Sequence, residues 1–452
     1  MKPVSRFLTL LALISVLLSG CAAPTPQVIT QTVKETVVVT VTPVPTTPAL
    51  SSGGTVVIRA GTGDGGDGLT PHQQIIQNFE DQNANIVVQL EPVSGRDYYA
   101  RLLTQLAAKA APDIMQVGDD AVPSFVEKGA FLPLDSFIAD SKFDTSIYLP
   151  GLLEPGMVDG KVYLLPKDYS PLAVYYNKKL FDAANVPYPT GSWSWDDFLA
   201  TAQKLTLTDS AGKVTQWGVQ LPGPWTTGFE YWVAAAGGTL ISKDGKSFIG
   251  QMDSSQVARA VQFYADLYNK YKVAPPPADM NAFGGGNSEF ASGKAAMSLF
   301  GRWPQSGYKT NPNIALGVVA PPKDQARANV LFWGGFGIAS TTKDAQDAFK
   351  YLSFVSGEAG AEVWKDWALP AVTSVAASSG LSSDPIEGVW INELNNLVPR
   401  AYTYTPYWNE SADPALRKVL ETVIIDPNAD VKALLAQAAK DAQATLDKLM
   451  KK

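Results

Sequence analysis

The chain has 452 residues, with 36 Lys and Arg against 43 Asp and Glu. The resulting formal charge of −7 speaks against a nucleic-acid surface, which needs basic side chains to neutralise phosphates. One histidine, His72, and one cysteine, Cys21, leave almost nothing for Ser-His-Asp chemistry or His-based metal ligation and no internal disulfide, so neither a catalytic residue nor a metal or cofactor is expected.

Lys2 and Arg6 precede an apolar run over residues 7–18, and Leu18-Ser19-Gly20-Cys21 follows. The run is about a dozen residues long, short of the roughly 20 that a spanning helix needs, and predicts a cleaved secretory signal over residues 1–20. The small residues ahead of Cys21 resemble a bacterial lipobox, which implies lipidation of Cys21 and a chain anchored to the outer face of the cell membrane. Residues 21–54 carry Pro24, Pro26, Pro43, Pro45 and Pro48 among Thr and Val and cannot build a core; they read as a tether. The Val- and Thr-rich stretch over 28–42 has strand propensity, and its conformation is left open.

The remaining roughly 400 residues exceed one ordinary core and predict two lobes. A strand over 55–59 leads through a glycine-rich loop into a helix with Ile75, Ile76 and Phe79 on one side, where His72 reads as a solvated helix-start residue. A second strand over 86–90, a helix marked by Tyr98, Leu102, Leu103 and Leu106, and a third strand over 113–117 complete a βαβαβ start. Such units build mainly parallel sheets flanked by helices, with ligands at the carboxyl ends of the strands, and Asp64 and Asp120 fall just past two of those ends. Asp196-Asp197 suits the first turn of a helix beginning after Ser194. From near Asn428 a last helix places Val431, Leu434, Leu435, Ala438, Ala442, Leu446 and Leu449 on one stripe, expected to be core.

Gly61-Thr62-Gly63-Asp64-Gly65-Gly66 satisfies a dinucleotide-loop pattern, but Glu80 and Asp81, the acids about twenty residues on, close a helix instead of ending a strand. Adjacent acids such as Asp119-Asp120 do not face one cleft as a glycosidase pair must. The eleven tryptophans and seventeen tyrosines are more telling, since flat rings stack on the C–H faces of saccharides while carboxylates, amides and Arg take the hydroxyls. Trp195, Trp364 and Trp367 sit in helical patterns and are assigned to packing.

In order along the chain come Ala111-Pro112-Asp113-Ile114, Gly129-Ala130-Phe131-Leu132-Pro133-Leu134-Asp135, Asp159-Gly160-Lys161-Val162-Tyr163-Leu164-Leu165-Pro166 and Tyr175-Tyr176-Asn177-Lys178-Lys179-Leu180-Phe181. Trp193-Ser194-Trp195-Asp196-Asp197-Phe198, Phe290-Ala291-Ser292-Gly293-Lys294-Ala295-Ala296-Met297, Pro321-Pro322 and Trp333-Gly334-Gly335-Phe336-Gly337-Ile338 follow. From about Thr55 to the end the sequence resembles the family-1 extracellular solute-binding proteins of ATP-driven (ABC) importers, the group that includes maltose-binding protein. The resemblance implies an α/β, two-lobed periplasmic-binding-protein-like fold (type II) joined by a multi-strand hinge. Crossings fall near Pro166, Pro321 and Pro385, giving one lobe from 55–166 plus about 321–385 and the other from about 167–320 plus 386–452. It further implies a monomer that captures a mono- or oligosaccharide and hands it to membrane permease subunits. A polyol, a glycerol-phosphate-type solute or a peptide stays open as ligand, as does a surface enzyme or adhesion module on the same scaffold. Trp303 in Gly301-Arg302-Trp303-Pro304 matches the family's sugar-stacking tryptophan, and Asp120 a hydroxyl-binding acid. Trp225, Trp408, Trp333, Asp64, Tyr169 and Arg302 are the further candidates, and Arg96 and Arg400 remain unplaced.

Overall fold

In the computed structural model the described residues are 54–93, 97–276 and 288–451. The signal, Cys21, the tether and Arg96 lie outside them. Apolar strands and amphipathic helices sort the chain into two sheets. The first, in the order β13-β6-β12-β3-β1-β2, combines β1 (Val56–Thr62), β2 (Ile86–Pro92), β3 (Ile114–Gly118), β6 (Leu164–Ser170), β12 (Phe332–Ile338) and β13 (Leu369–Pro370). The second, in the order β11-β7-β10-β9-β8, combines β7 (Ala173–Asn177), β8 (Leu207–Thr208), β9 (Val214–Gln220), β10 (Ala295–Phe300) and β11 (Leu316–Val319). A small hairpin of β4 (Met157–Val158) and β5 (Lys161–Val162) precedes β6.

The βαβαβ start is present: β1 runs parallel to both β2 and β3. β6 shares their direction, since it is antiparallel to β12 and β12 is antiparallel to β3. In the second sheet β9 is parallel to β10, and β7 lies antiparallel between β10 and β11. The chain passes from the first sheet to the second between Ser170 and Ala173, and returns between Val319 and Phe332. Pro166 falls inside β6, where the pairing with β12 shifts register at Gly334/Gly335. A bulge is a place where a strand tolerates proline, because no ladder donor is demanded of it.

Local sequence explains the helix boundaries. Ser194 and Asp197 form a reciprocal capping box at helix Trp195–Leu205, and Asp430 caps the last helix, Val431–Leu449. That helix buries Val431, Leu435, Ala438, Ala439, Ala442 and Leu446, the expected stripe shifted slightly around its axis. His72 departs from its expectation. It is buried in helix Leu69–Glu80 on the face of Ile75 and Phe79, three and seven residues on, with its ring edge-on to Trp364 at 4.9 Å. Tertiary packing encloses it because its helical period matches the apolar stripe and a carboxylate awaits its nitrogen.

Candidate ligand-binding cleft

The carboxyl ends of β1, β3 and β6 lie on one edge of the first sheet. Asp64, two residues past β1, accepts from His72 Nε2 at 2.7 Å and from Lys167 Nζ at 3.0 Å through the same oxygen. Gln116 on β3 donates to that oxygen at 3.3 Å, and Thr62 binds both the Asp64 amide and the Gln116 side chain. Lys167 also reaches Asp168 at 3.2 Å and covers the Trp364 ring at 4.7 Å. Burial raises the Asp64 carboxyl, but Lys167 and His72 together outweigh it and hold the group well below the usual carboxylate range. Burial also lowers His72 against the pull of Asp64, and so favours the neutral ring. The glycine-rich loop packs tightly here: a Cβ on Gly61 would stand 2.9 Å from Pro112 and one on Gly63 3.1 Å from Tyr98.

On the second sheet the parallel pair β9 and β10 end side by side, and each is followed by a tryptophan. Trp225 is enclosed in the turn before helix Thr226–Ala235, whereas Trp303, after β10, is 47 % exposed. Its ring folds back over Gly301, where any Cβ would collide with it. Trp303 meets Phe300, Phe332 and Trp225 edge-on, at ring-centre distances of 5.0, 5.5 and 6.0 Å, and Trp225 stacks on Phe332 at 4.8 Å. These four rings make a wall with one large face left to solvent.

Phe332 opens β12 at the return crossing and links the wall to the acids of the first sheet. The Arg400 guanidinium lies 4.7 Å from its ring and 4.0 Å from Asp119. Burial pushes the Asp119 carboxyl up to about 8 despite Arg400. Asp120, half-buried beside it, is pushed up to about 6 by the same cause. Of the remaining candidates, Tyr169 is buried in β6 opposite Trp333, and Trp333 turns into the first lobe and donates its indole N–H to the Leu152 carbonyl at 2.8 Å. Trp408 is enclosed at the start of helix Trp408–Ile425, near Phe248. Arg302 is enclosed as well, with Nε 2.7 Å from Glu387, a carboxylate that also accepts from Gln305 and Lys309. The structure thus gathers Trp303 and Trp225 on one edge and Asp64 and Asp120 on the other, with Trp333, Trp408 and Arg302 in the packing behind. Lys167, Phe332 and the Asp119–Arg400 pair escape a sequence reading, the lysine because its only local signal is a proline inside a strand.

Two α/β lobes whose strand ends face one another across crossing strands define a binding protein that holds its solute between them. The chain belongs to the bacterial extracellular solute-binding proteins, whose family model matches residues 74–388. The galactooligosaccharide-binding protein of Bacillus subtilis is 24% identical over 365 residues, 75% of this chain and 78% of the relative. The diacetylchitobiose binding protein of Streptomyces coelicolor is 27% identical over 247 residues, 53% of this chain and 54% of its own. An ABC substrate-binding protein of Listeria monocytogenes, solved in complex with cycloalternan, has the same two-lobed fold with a TM-score of 0.75 at 25% identity. It is matched over 88% of this chain and 98% of that one. Among the described residues no helix is long and apolar enough to cross a membrane, and no cluster of ligating side chains could hold a metal ion.

Proposed function

We propose that the chain is the extracytoplasmic, lipid-anchored substrate-binding subunit of an ATP-driven carbohydrate importer. It takes up a mono- or oligosaccharide between two lobes, closes on it and delivers it to the membrane permease. One lobe comprises residues 54–170 and 332–383 and the other 173–319 and 387–451, following the two sheets and, past β13, the packing of the helices. The carrying observation is Trp303, a half-exposed indole held by three other aromatic rings at the carboxyl edge of its sheet. A rigid apolar face of this kind suits a sugar ring, and the half-buried Asp120 and the Asp64 group supply hydroxyl acceptors from the opposite lobe. Trp225 and Tyr169 support the two walls.

The cations argue against a phosphate or carboxylate solute. Lys167, Arg302 and Arg400 each already face a carboxylate, so an anion would have to compete with Asp64 and Asp168, with Glu387, or with Asp119 and Glu230. A thermal-shift screen of mono-, di- and oligosaccharides, polyols, glycerol phosphates and dipeptides tests the reading. A solute at 100 times its dissociation constant adds about 2.7 kcal/mol of stability. Stabilisation by one saccharide series is the expected result, and stabilisation by phosphates or peptides alone rejects it.

A further inference from the structure

Away from the aromatic wall a second set of contacts joins the lobes. Helix Val122–Glu127 follows the carboxyl end of β3 and so stands on the cleft side of the first lobe. Residues 400–410 belong to the other lobe, because helix Trp408–Ile425, which they enter, packs on helices Ser255–Tyr268 and Val431–Leu449. Between these elements the Tyr402 hydroxyl donates to Asp119 Oδ2, and Arg400 Nη1 stands 4.0 Å from the same oxygen. Asn409 donates its side-chain N–H to the Asp120 carbonyl at 3.0 Å. At the rim, Tyr407 donates to Glu127 at 3.2 Å, and Lys128 pairs with Glu410 at 2.6 Å.

We propose that these groups form an interlobe clamp, with Asp119, Tyr402 and Arg400 at its centre and Lys128–Glu410 at its rim, which sets the ratio of closed to open receptor even when no solute is bound. The inference rests on the reading of the chain as a receptor that closes, and names how that closure is regulated. Each half of the clamp is fixed within its own side. Asp119 exchanges two hydrogen bonds with Trp333, its amide donating to the carbonyl at 3.0 Å and its Oδ1 accepting from the amide at 3.2 Å. Arg400 is held by Glu230 at 3.2 Å and by the Thr227 carbonyl at 2.8 Å. Opening therefore leaves those internal bonds in place and breaks the Tyr402–Asp119 and rim contacts. Their free energy enters the closed state alone, and a solute adds to that bias only through its own preference for closure. Tyr402 and Glu410 are accordingly positioning residues.

The test uses ligand-free protein. Spin labels on Thr104→Cys and Ser306→Cys, one exposed site on each lobe, are read by double electron–electron resonance in the full chain carrying Cys21→Ala, which removes the one native thiol. Tyr402→Phe should lower the closed-to-open ratio about fivefold, the scale of one intramolecular hydrogen bond. Lys128→Glu and Glu410→Lys should each lower it about threefold or more, and the double swap should restore it. A purely structural role would move the melting temperature and leave the distance distribution alone. If Tyr402→Phe does not fold, the exposed rim pair still decides. An unchanged distribution in both charge reversals overturns the clamp. Because no solute is added, a chain that binds no saccharide would reject the carbohydrate reading and leave this result standing.

Discussion

Replacing Trp303 by Ala separates binding from folding. An enclosed indole buries about 200 Å²; at 47 % exposure Trp303 covers about half of that within the protein. At 25 cal/mol per Å² the buried half is worth about 2.5 kcal/mol, an upper bound because unfolded chains already cover some apolar surface. In a chain of this length such a loss lowers the ligand-free melting temperature by a few degrees. On the proposed reading the exposed half is the face offered to solute, and truncating a central tryptophan in a desolvated contact typically costs 2 kcal/mol or more. That is about a thirtyfold loss of affinity. Titration calorimetry with the saccharide chosen by the thermal screen measures one quantity, and scanning calorimetry without solute the other. Full affinity in a folded Trp303→Ala protein would remove this ring from the site and, with it, the strongest reason for expecting a sugar.

Trp195, stacked on Phe263 at 4.5 Å and 2 % exposed, should behave in the opposite way: Trp195→Ala costs about 3–5 kcal/mol of stability in denaturant unfolding and leaves affinity unchanged. Arg302→Ala leaves the enclosed Glu387 with only the partly exposed Lys309 as cation and should destabilise by about 3 kcal/mol, while Lys309→Ala is nearly silent. The Asp64 carboxyl is held low in the folded chain, so the stability it contributes is present above the ordinary carboxylate pKa of about 4 and is lost as pH falls through and below it. Melting temperatures between pH 6 and 3 should therefore drop less steeply in Asp64→Asn than in the parent, and parallel curves would contradict this. If Cys21 carries the proposed lipid, Cys21→Ala abolishes partitioning into detergent, because acyl chains contribute about 0.8 kcal/mol per buried methylene and no surface contact replaces them.

What could be read in the sequence is what short-range rules govern. The βαβαβ start, the capping box at Ser194 and Asp197 and the stripe of the last helix all follow from spacings of seven residues or fewer. Trp303 comes instead from the resemblance of its motif to the family's, and the structure adds that Gly301 leaves room for its ring. The polar architecture of the cleft is of another kind. Asp64 meets Lys167 across 103 positions, Arg302 meets Glu387 across 85, and Tyr402 meets Asp119 across 283. No local pattern selects such partners, since each depends on which strand ends the topology brings together. His72 shows the boundary between the two kinds: its helical period with Ile75 and Phe79 was available, but the carboxylate that makes its burial tolerable was not legible as a partner.

Phe332 and Trp333 carry the same point down to one residue. Both are aromatic and adjacent, just ahead of Gly334 and Gly335, and composition alone favours the larger ring as the sugar platform. In a strand, however, neighbours point to opposite faces, so one of the two must face the aromatic wall and the other the core. The choice is fixed by register with β6, where Trp333 pairs opposite the buried Tyr169 and Phe332 opposite Ser170 at the crossing. Gly334 and Gly335 then accommodate the outcome, since a Cβ on Gly335 would collide with the Trp333 ring and one on Gly334 would stand 2.7 Å from Asp168. A slip of one residue would exchange the two rings, placing a buried indole N–H beside the wall and withdrawing Phe332 from Trp225, Trp303 and Arg400. The geometry of the site is thus set by strand register at the hinge as much as by the residues that line it.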